Sequence, residues 1–135
     1  MTVRTLCRAL GWGLIAVGIF GFFEPHLLGM HLTPWHNVIH LVSGAASLFV
    51  GSQGTATAAR RFALVFGLVY FGLGVLGFVA PSVTARILGH DPVPPGDLAP
   101  DNAVHLVLGG AFVAASAMRT RTKERTPATA TARRR

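Results

Sequence analysis

Four apolar stretches, separated by more polar joints, constrain this chain more than any other feature. They run over residues 9–23, 35–51, 62–80 and 103–118. A helix that crosses a bilayer needs roughly 17–25 predominantly apolar residues. The third stretch meets that unaided. The first and fourth reach it if Arg8 and Arg119 snorkel to the interface. The second is the most polar, because His36, Asn37 and His40 stand at its start. Only 13% of the 135 residues are charged, against about a quarter in ordinary soluble domains. The expectation is an all-α protein: a four-helix transmembrane bundle over residues 1–118, with a basic, disordered cytoplasmic tail over 119–135 that has almost no apolar bulk.

Local signals mark the joints. Thr33 before Pro34 reads as an N-cap with proline at the first helical position, and Asp101 as the cap of the fourth helix. Pro25 and Pro81 are expected to close the first and third helices, and residues 52–59 to join the second to the third. The first stretch ends in Gly-Phe-Phe-Glu-Pro without a small-x-small cleavage pattern, so it reads as an uncleaved anchor. Trp12 and Trp35 read as interfacial anchors, Trp12 lying deep for that role. One cysteine, Cys7, excludes an internal disulfide and a cysteine cage.

Charge orients the bundle. With both termini inside, Arg4, Arg8, Arg60, Arg61, Arg119, Arg121, Lys123, Arg125, Arg133, Arg134 and Arg135 lie inside and Arg86 alone outside. Cytoplasmic loops carry just such an excess of basic residues. The expected location is the cell membrane, multi-pass, with both termini cytoplasmic. The formal charge of +7 then belongs to membrane ends and a tail, where anionic headgroups are the partner, and nucleic acid is not.

The chain also resembles itself. Residues 11–25 and 67–81 align without gaps, matching Gly11 with Gly67, Gly18 with Gly74, Gly21 with Gly77, Phe22 with Phe78 and Pro25 with Pro81. Leu28-Gly29 recurs as Leu88-Gly89. The segment from Asn37 to Gly44 and that from Asn102 to Gly109 share the pattern N-x-x-H-L-V-x-G. Two units, 8–51 and 61–118, each with two spans, would be parallel repeats about an axis along the membrane normal. On the segments Trp35–Leu41 and Asp101–Leu106 and the glycine-rich first helices, residues 8–118 resemble a family of small bacterial four-span membrane proteins known only as a domain of unknown function. That resemblance implies the fold and no activity.

Gly18, Gly21, Gly74 and Gly77 are expected to let helix backbones approach closely, as are the small-residue lines Ser43–Ser47–Gly51 and Gly110–Ala114. All six histidines fall on the outer side of this topology. His36 and His40 share one helix face, as do Asp101 and His105. At 1.5 Å per residue His40 lies about 10 Å and His105 about 6 Å into their helices. Three readings of the cluster follow. Asn37, His40, Asn102 and His105 form a structural polar motif hydrogen-bonded across helices or to loop carbonyls. Alternatively His36, His40, Asp101 and His105 ligate zinc or a similar ion, or His40 and His105 hold a haem. Proton or ion passage is the remaining use of intramembrane ionisable groups. No nucleophile elbow or intramembrane carboxylate pair is present, and no catalytic residue is assigned. The function expected is association in the membrane, as a homo-oligomer or an accessory subunit of a larger complex. The alternative is a metal- or haem-binding redox or transport module.

Overall fold

Threonines start three of the long helices. Thr2, Thr33 and Thr55 each hold an extended backbone, and each hydroxyl accepts an N–H three residues on, from Thr5, His36 and Ala58. Each bond satisfies one of the unpaired amides at a helix start. In the computed structural model, which describes residues 1–90 and 98–118, the elements are α1 (Val3–Phe20), a 3-10 turn (Leu27–Gly29), α2 (Pro34–Gln53), α3 (Ala56–Val79), α4 (Pro81–Ile87) and α5 (Ala99–Ser116). The protein is all-helical, with no strand among the described residues.

Several expected boundaries move. Thr2 lets α1 begin at Val3, ahead of the charge-free stretch. Residues 52–59 are mostly helical, and only Gly54 and Thr55 separate α2 from α3. Pro81 follows the end of α3 but also opens the seven-residue α4, since proline suits the first helical position as well as it stops a helix. Asp101 is not a cap: α5 starts at Ala99 behind Leu98, which makes no side-chain cap bond, and Asp101 sits in the first turn. The tail at 119–135 lies outside the described residues.

α1 packs along α2, and α3 packs along α5, with lighter contacts between α1 and α3, α1 and α5, and α2 and α3. The two pairs use the same register. Val3, Cys7, Gly11, Leu14, Gly18 and Gly21 are buried in the first pair, and the aligned Ala59, Ala63, Gly67, Tyr70, Gly74 and Gly77 in the second. Glycine is required where the axes meet. A Cβ on Gly11 would lie 3.0 Å from the Gly44 carbonyl oxygen, and one on Gly67 2.8 Å from that of Gly109. Gly18 and Gly74 face Leu41 and Leu106 in the same way, and any side chain at Gly21 or Gly77 would overlap the amide of Asn37 or Asn102. By contrast Gly110 faces open space and Ala114 is exposed.

The two ends of the molecule differ in chemistry. At one end Phe62, Phe66 and Phe112 pack with Val3, Cys7 and Ala59, and Tyr70, stacked on Phe66, reaches from this core to within 5.5 Å of the His105 ring. There Arg4 donates to the carbonyls of Gly51 and Ser52, and Arg60 to that of Met118. Each arginine thus serves the carboxyl end of the neighbouring helix, where carbonyls lack partners and positive charge is favoured. The opposite end holds the histidines. Between the ends the outer faces are apolar, with Trp12, Phe49, Val65, Val79 and Val107 exposed. α1 and α3 are each long and apolar enough to cross a membrane. α2 and α5 carry their histidines, asparagines and aspartate in their first two turns.

Candidate metal centre

The start of α2 supplies His36, Asn37 and His40, and the start of α5 supplies Asp101, Asn102 and His105. Two connections bring further groups to the same place. The turn after α1 passes through left-handed backbone at Leu28 (φ 57°) and Gly29 (φ 78°), buries Met30 and Leu32, and presents His31. The His31 amide donates to Asp101 Oδ2 at 2.9 Å. From the other side α4 docks its end on α2, where the Leu88 carbonyl accepts from the Thr33 hydroxyl at 2.8 Å and the Ile87 carbonyl from Trp35 Nε1 at 3.2 Å. Gly89, left-handed at φ 71°, then turns the chain so that His90 enters the cluster.

The rings converge. Centroids lie 4.4 Å apart for His36 and His40, 5.4 Å for His36 and His105, which are stacked, and 6.4 Å for His40 and His105. His90 meets His36 edge-on at 5.7 Å, His31 lies 6.5 Å from His90, and His26 lies 5.1 Å from His31. Asp101 Oδ1 is 3.8 Å from His36 Nδ1. Two triads have ligand-type atoms mutually within 4.8 Å: His36 with His40 and His105, and His36 with His90 and Asp101. All five residues are buried.

Hydrogen bonding satisfies only part of this cluster. His105 Nδ1 lies 2.7 Å from the Asp101 carbonyl oxygen. Donating there, it keeps its proton on Nδ1 and leaves Nε2 with a free lone pair. Ligating histidines are held in the same way, by a hydrogen bond on the nitrogen that does not ligate. His36 Nδ1 makes a longer contact, 3.4 Å, to the His31 carbonyl. Among the described residues, His36 Nε2, His40 Nδ1, His90 Nε2 and Asp101 Oδ1 are buried with no hydrogen-bond partner. Burying such an atom unpaired costs ~1–3 kcal/mol, so the arrangement is one of lone pairs gathered at a cost. Burial, reinforced by nearby His31, lowers the pKa of His90, which keeps that ring neutral and able to ligate.

The hydrogen bonds expected of Asn37 and Asn102, across helices or to loop carbonyls, are not formed among the described residues. Both amide atoms of Asn37 and Oδ1 of Asn102 have no partner among the described residues, and each amide instead packs over the bare backbone of Gly21 or Gly77. These asparagines therefore belong to helix packing and do not orient the imidazoles. The haem arrangement does not fit either. His36 lies against both His40 and His105, so a macrocycle between those two rings would have to displace a buried side chain. A metal fits the donor set, which is imidazole and carboxylate with no thiolate in the cluster. His36, His40, Asp101 and His105 were all legible as candidates. His90 was not, since it lies in a connection with no periodicity, and its one sequence signal is that it shares the outer side with the other five histidines.

No family model, no curated protein and no solved structure matches the chain.

Proposed function

We propose that the chain is a four-span membrane protein that binds a divalent transition metal near its outer surface, with His36, His40 and His105 as the ligands. The observation that carries this reading is the convergence of three buried imidazoles from two helices, with unpaired ring nitrogens on His36 and His40. Zinc takes imidazole nitrogens at about 2.0–2.1 Å in tetrahedral geometry, so a modest closure of the three rings completes three of its four positions. What the ion supplies when bound is a fixed positive charge and a Lewis-acidic centre. The protein's part is to hold three neutral rings, fix the tautomer of His105 through the Asp101 carbonyl, and shield the site by burial.

The four spans rest on length and surface. α2 and α5 have 20 and 18 residues, or about 30 and 27 Å at 1.5 Å per residue, and pack lengthwise on the two apolar helices. Their outward faces carry exposed Val38, Val42, Phe49, Val104 and Val107, and their histidines, asparagines and aspartate are buried in the bundle, the usual placement of ionisable residues at membrane depth. The matching burial register supports two parallel repeats. The arginines gathered at the aromatic end support cytoplasmic termini, with the histidine end outside. On this reading the chain sits with the small bacterial membrane proteins it resembles. A second reading, association as a homo-oligomer or accessory subunit, is favoured by the open small-residue line of Gly110 and Ala114 on α5.

Two experiments test the proposal. Purified full-length protein in lipid nanodiscs, dialysed against Zn²⁺, should retain zinc, and His40→Gln and His105→Gln should each weaken retention at least about tenfold, because an amide is a poor zinc ligand. Unchanged retention in both variants sinks the metal reading. For the topology, single cysteines are placed at Thr57 or Gly96 in a Cys7→Ala background. Labelling from outside at Gly96 and not at Thr57 is expected, and the reverse pattern refutes the orientation.

A further inference from the structure

We infer that the cluster holds a second divalent ion on the other side of His36, bound by His36 Nδ1, His90 and Asp101, so that His36 bridges two ions. This rests on the proposed site at His36, His40 and His105 and extends it to residues outside that triad.

Three observations carry the inference. First, His36 belongs to both triads, and its two nitrogens have different surroundings. Nδ1 lies 3.8 Å from Asp101 Oδ1, whereas Nε2 is buried without a partner and remains for the His40 and His105 side. Second, Asp101 is already oriented. Its Oδ2 accepts the His31 amide at 2.9 Å, leaving Oδ1 buried and unpaired, while His90, whose Nε2 is also unpaired, offers a ring nitrogen within 4.8 Å of its carboxylate. Ligating carboxylates are held in this way, hydrogen-bonded at one oxygen and open to the ion at the other. Third, this side has an approach. A cavity of about 270 Å³ is lined by Pro25, His26, His31, Pro34 and His90, among others. An ion entering from the outer surface would therefore meet the imidazoles of His26 and His31 before it reaches His90.

In the ion-free protein one nitrogen of His36 carries a proton, and Nδ1, at 3.4 Å from the His31 carbonyl, is the nitrogen with an acceptor. The first ion binds the free lone pair of Nε2 and releases no proton from His36. The second ion replaces the proton on Nδ1, forming a metal–nitrogen bond as the N–H bond breaks, with the proton passing to bulk buffer. The ring is then an imidazolate shared by two cations, with Asp101 supplying a further negative charge. The sites therefore fill in order, because the first ion makes the remaining N–H more acidic.

The test is zinc stoichiometry on the full chain in nanodiscs, measured by elemental analysis after equilibrium dialysis. It is paired with calorimetry in two buffers of different protonation enthalpy. Wild type should bind two Zn²⁺ per chain, with one additional proton released at the second event. His90→Gln and Asp101→Asn should each bind one Zn²⁺ and lose that additional proton. One Zn²⁺ in the wild type, or two in both variants, overturns the second site. In the one-ion case the triad of His36, His40 and His105 still stands if His105→Gln abolishes that ion. Absence of any bound Zn²⁺ in folded wild type overturns both.

Discussion

The pair formed by α1 and α2 and the pair formed by α3 and α5 share a skeleton and differ in what they hang on it. Both bury the same aligned positions, bring glycine against glycine at mid-helix, and seat an asparagine over a glycine. Both extend an arginine from the first helix, Arg4 or Arg60, to carbonyls at the end of the second. The differences lie at the ends. Where the first pair has His36, the second has Asp101. Ser43 and Ser47 stand opposite Leu108 and Phe112. A short turn joins α1 to α2, while α4 and a longer segment join α3 to α5. What is shared sets helix separation. What differs builds one asymmetric polar cluster at one end and one aromatic core at the other. Two like units thus give a single mixed imidazole–carboxylate site in place of two identical ones.

The largest expected effect breaks the shared skeleton. Gly109→Val should cost ~3 kcal/mol or more, above the usual overpacking range, because the new Cβ would lie 2.7 Å from the Gly67 carbonyl oxygen and would collide with the Phe71 backbone amide. Backbone cannot move aside as a flexible side chain can. Gly44→Val, at the matching position of the first pair, should show a loss of similar size, since its Cβ would lie 2.8 Å from the Gly11 carbonyl oxygen, and Gly110→Ala none, since its surroundings are open. Denaturant titration in mixed micelles ranks the three. Tolerance of Gly44→Val beside collapse of Gly109→Val would show that the pairs are not mechanically equivalent.

A smaller effect probes the helix ends. Arg4→Gln and Arg60→Gln should each lose ~1 kcal/mol, the scale of a hydrogen bond after solvent exchange, reduced for Arg4 by exposure of its outer contact. The same titration checks this, and two losses that differ severalfold would argue that the arginines do unlike things.

The comparison also explains what was legible in the sequence. Glycines at matching positions announced two helix pairs because close packing leaves a chemical mark at each contact. The convergence of His36, His40 and His105 followed from i, i+4 spacing on two equivalent helix starts. Pro81 does follow the end of α3, but the short α4 that it opens went unread, because proline ends one helix and begins another with the same residue. Asp101 misled because the position it shares with His36 is a first-turn position and not a cap. His90 was hidden for a different reason: its place depends on the short α4, on the left-handed turn at Gly89 and on contacts from Thr33 and Trp35, none of which leaves a periodic trace.

The most direct test of the central claim, that buried imidazoles from two unlike helix pairs share a metal, is X-ray absorption at the zinc edge of the Zn²⁺-loaded full-length protein. The account predicts a first shell of nitrogen and oxygen near 2.0–2.1 Å, outer-shell scattering from several imidazoles, and loss of that imidazole signal in His105→Gln. A first shell of water oxygens alone, or a sulfur shell at about 2.3 Å, would contradict it.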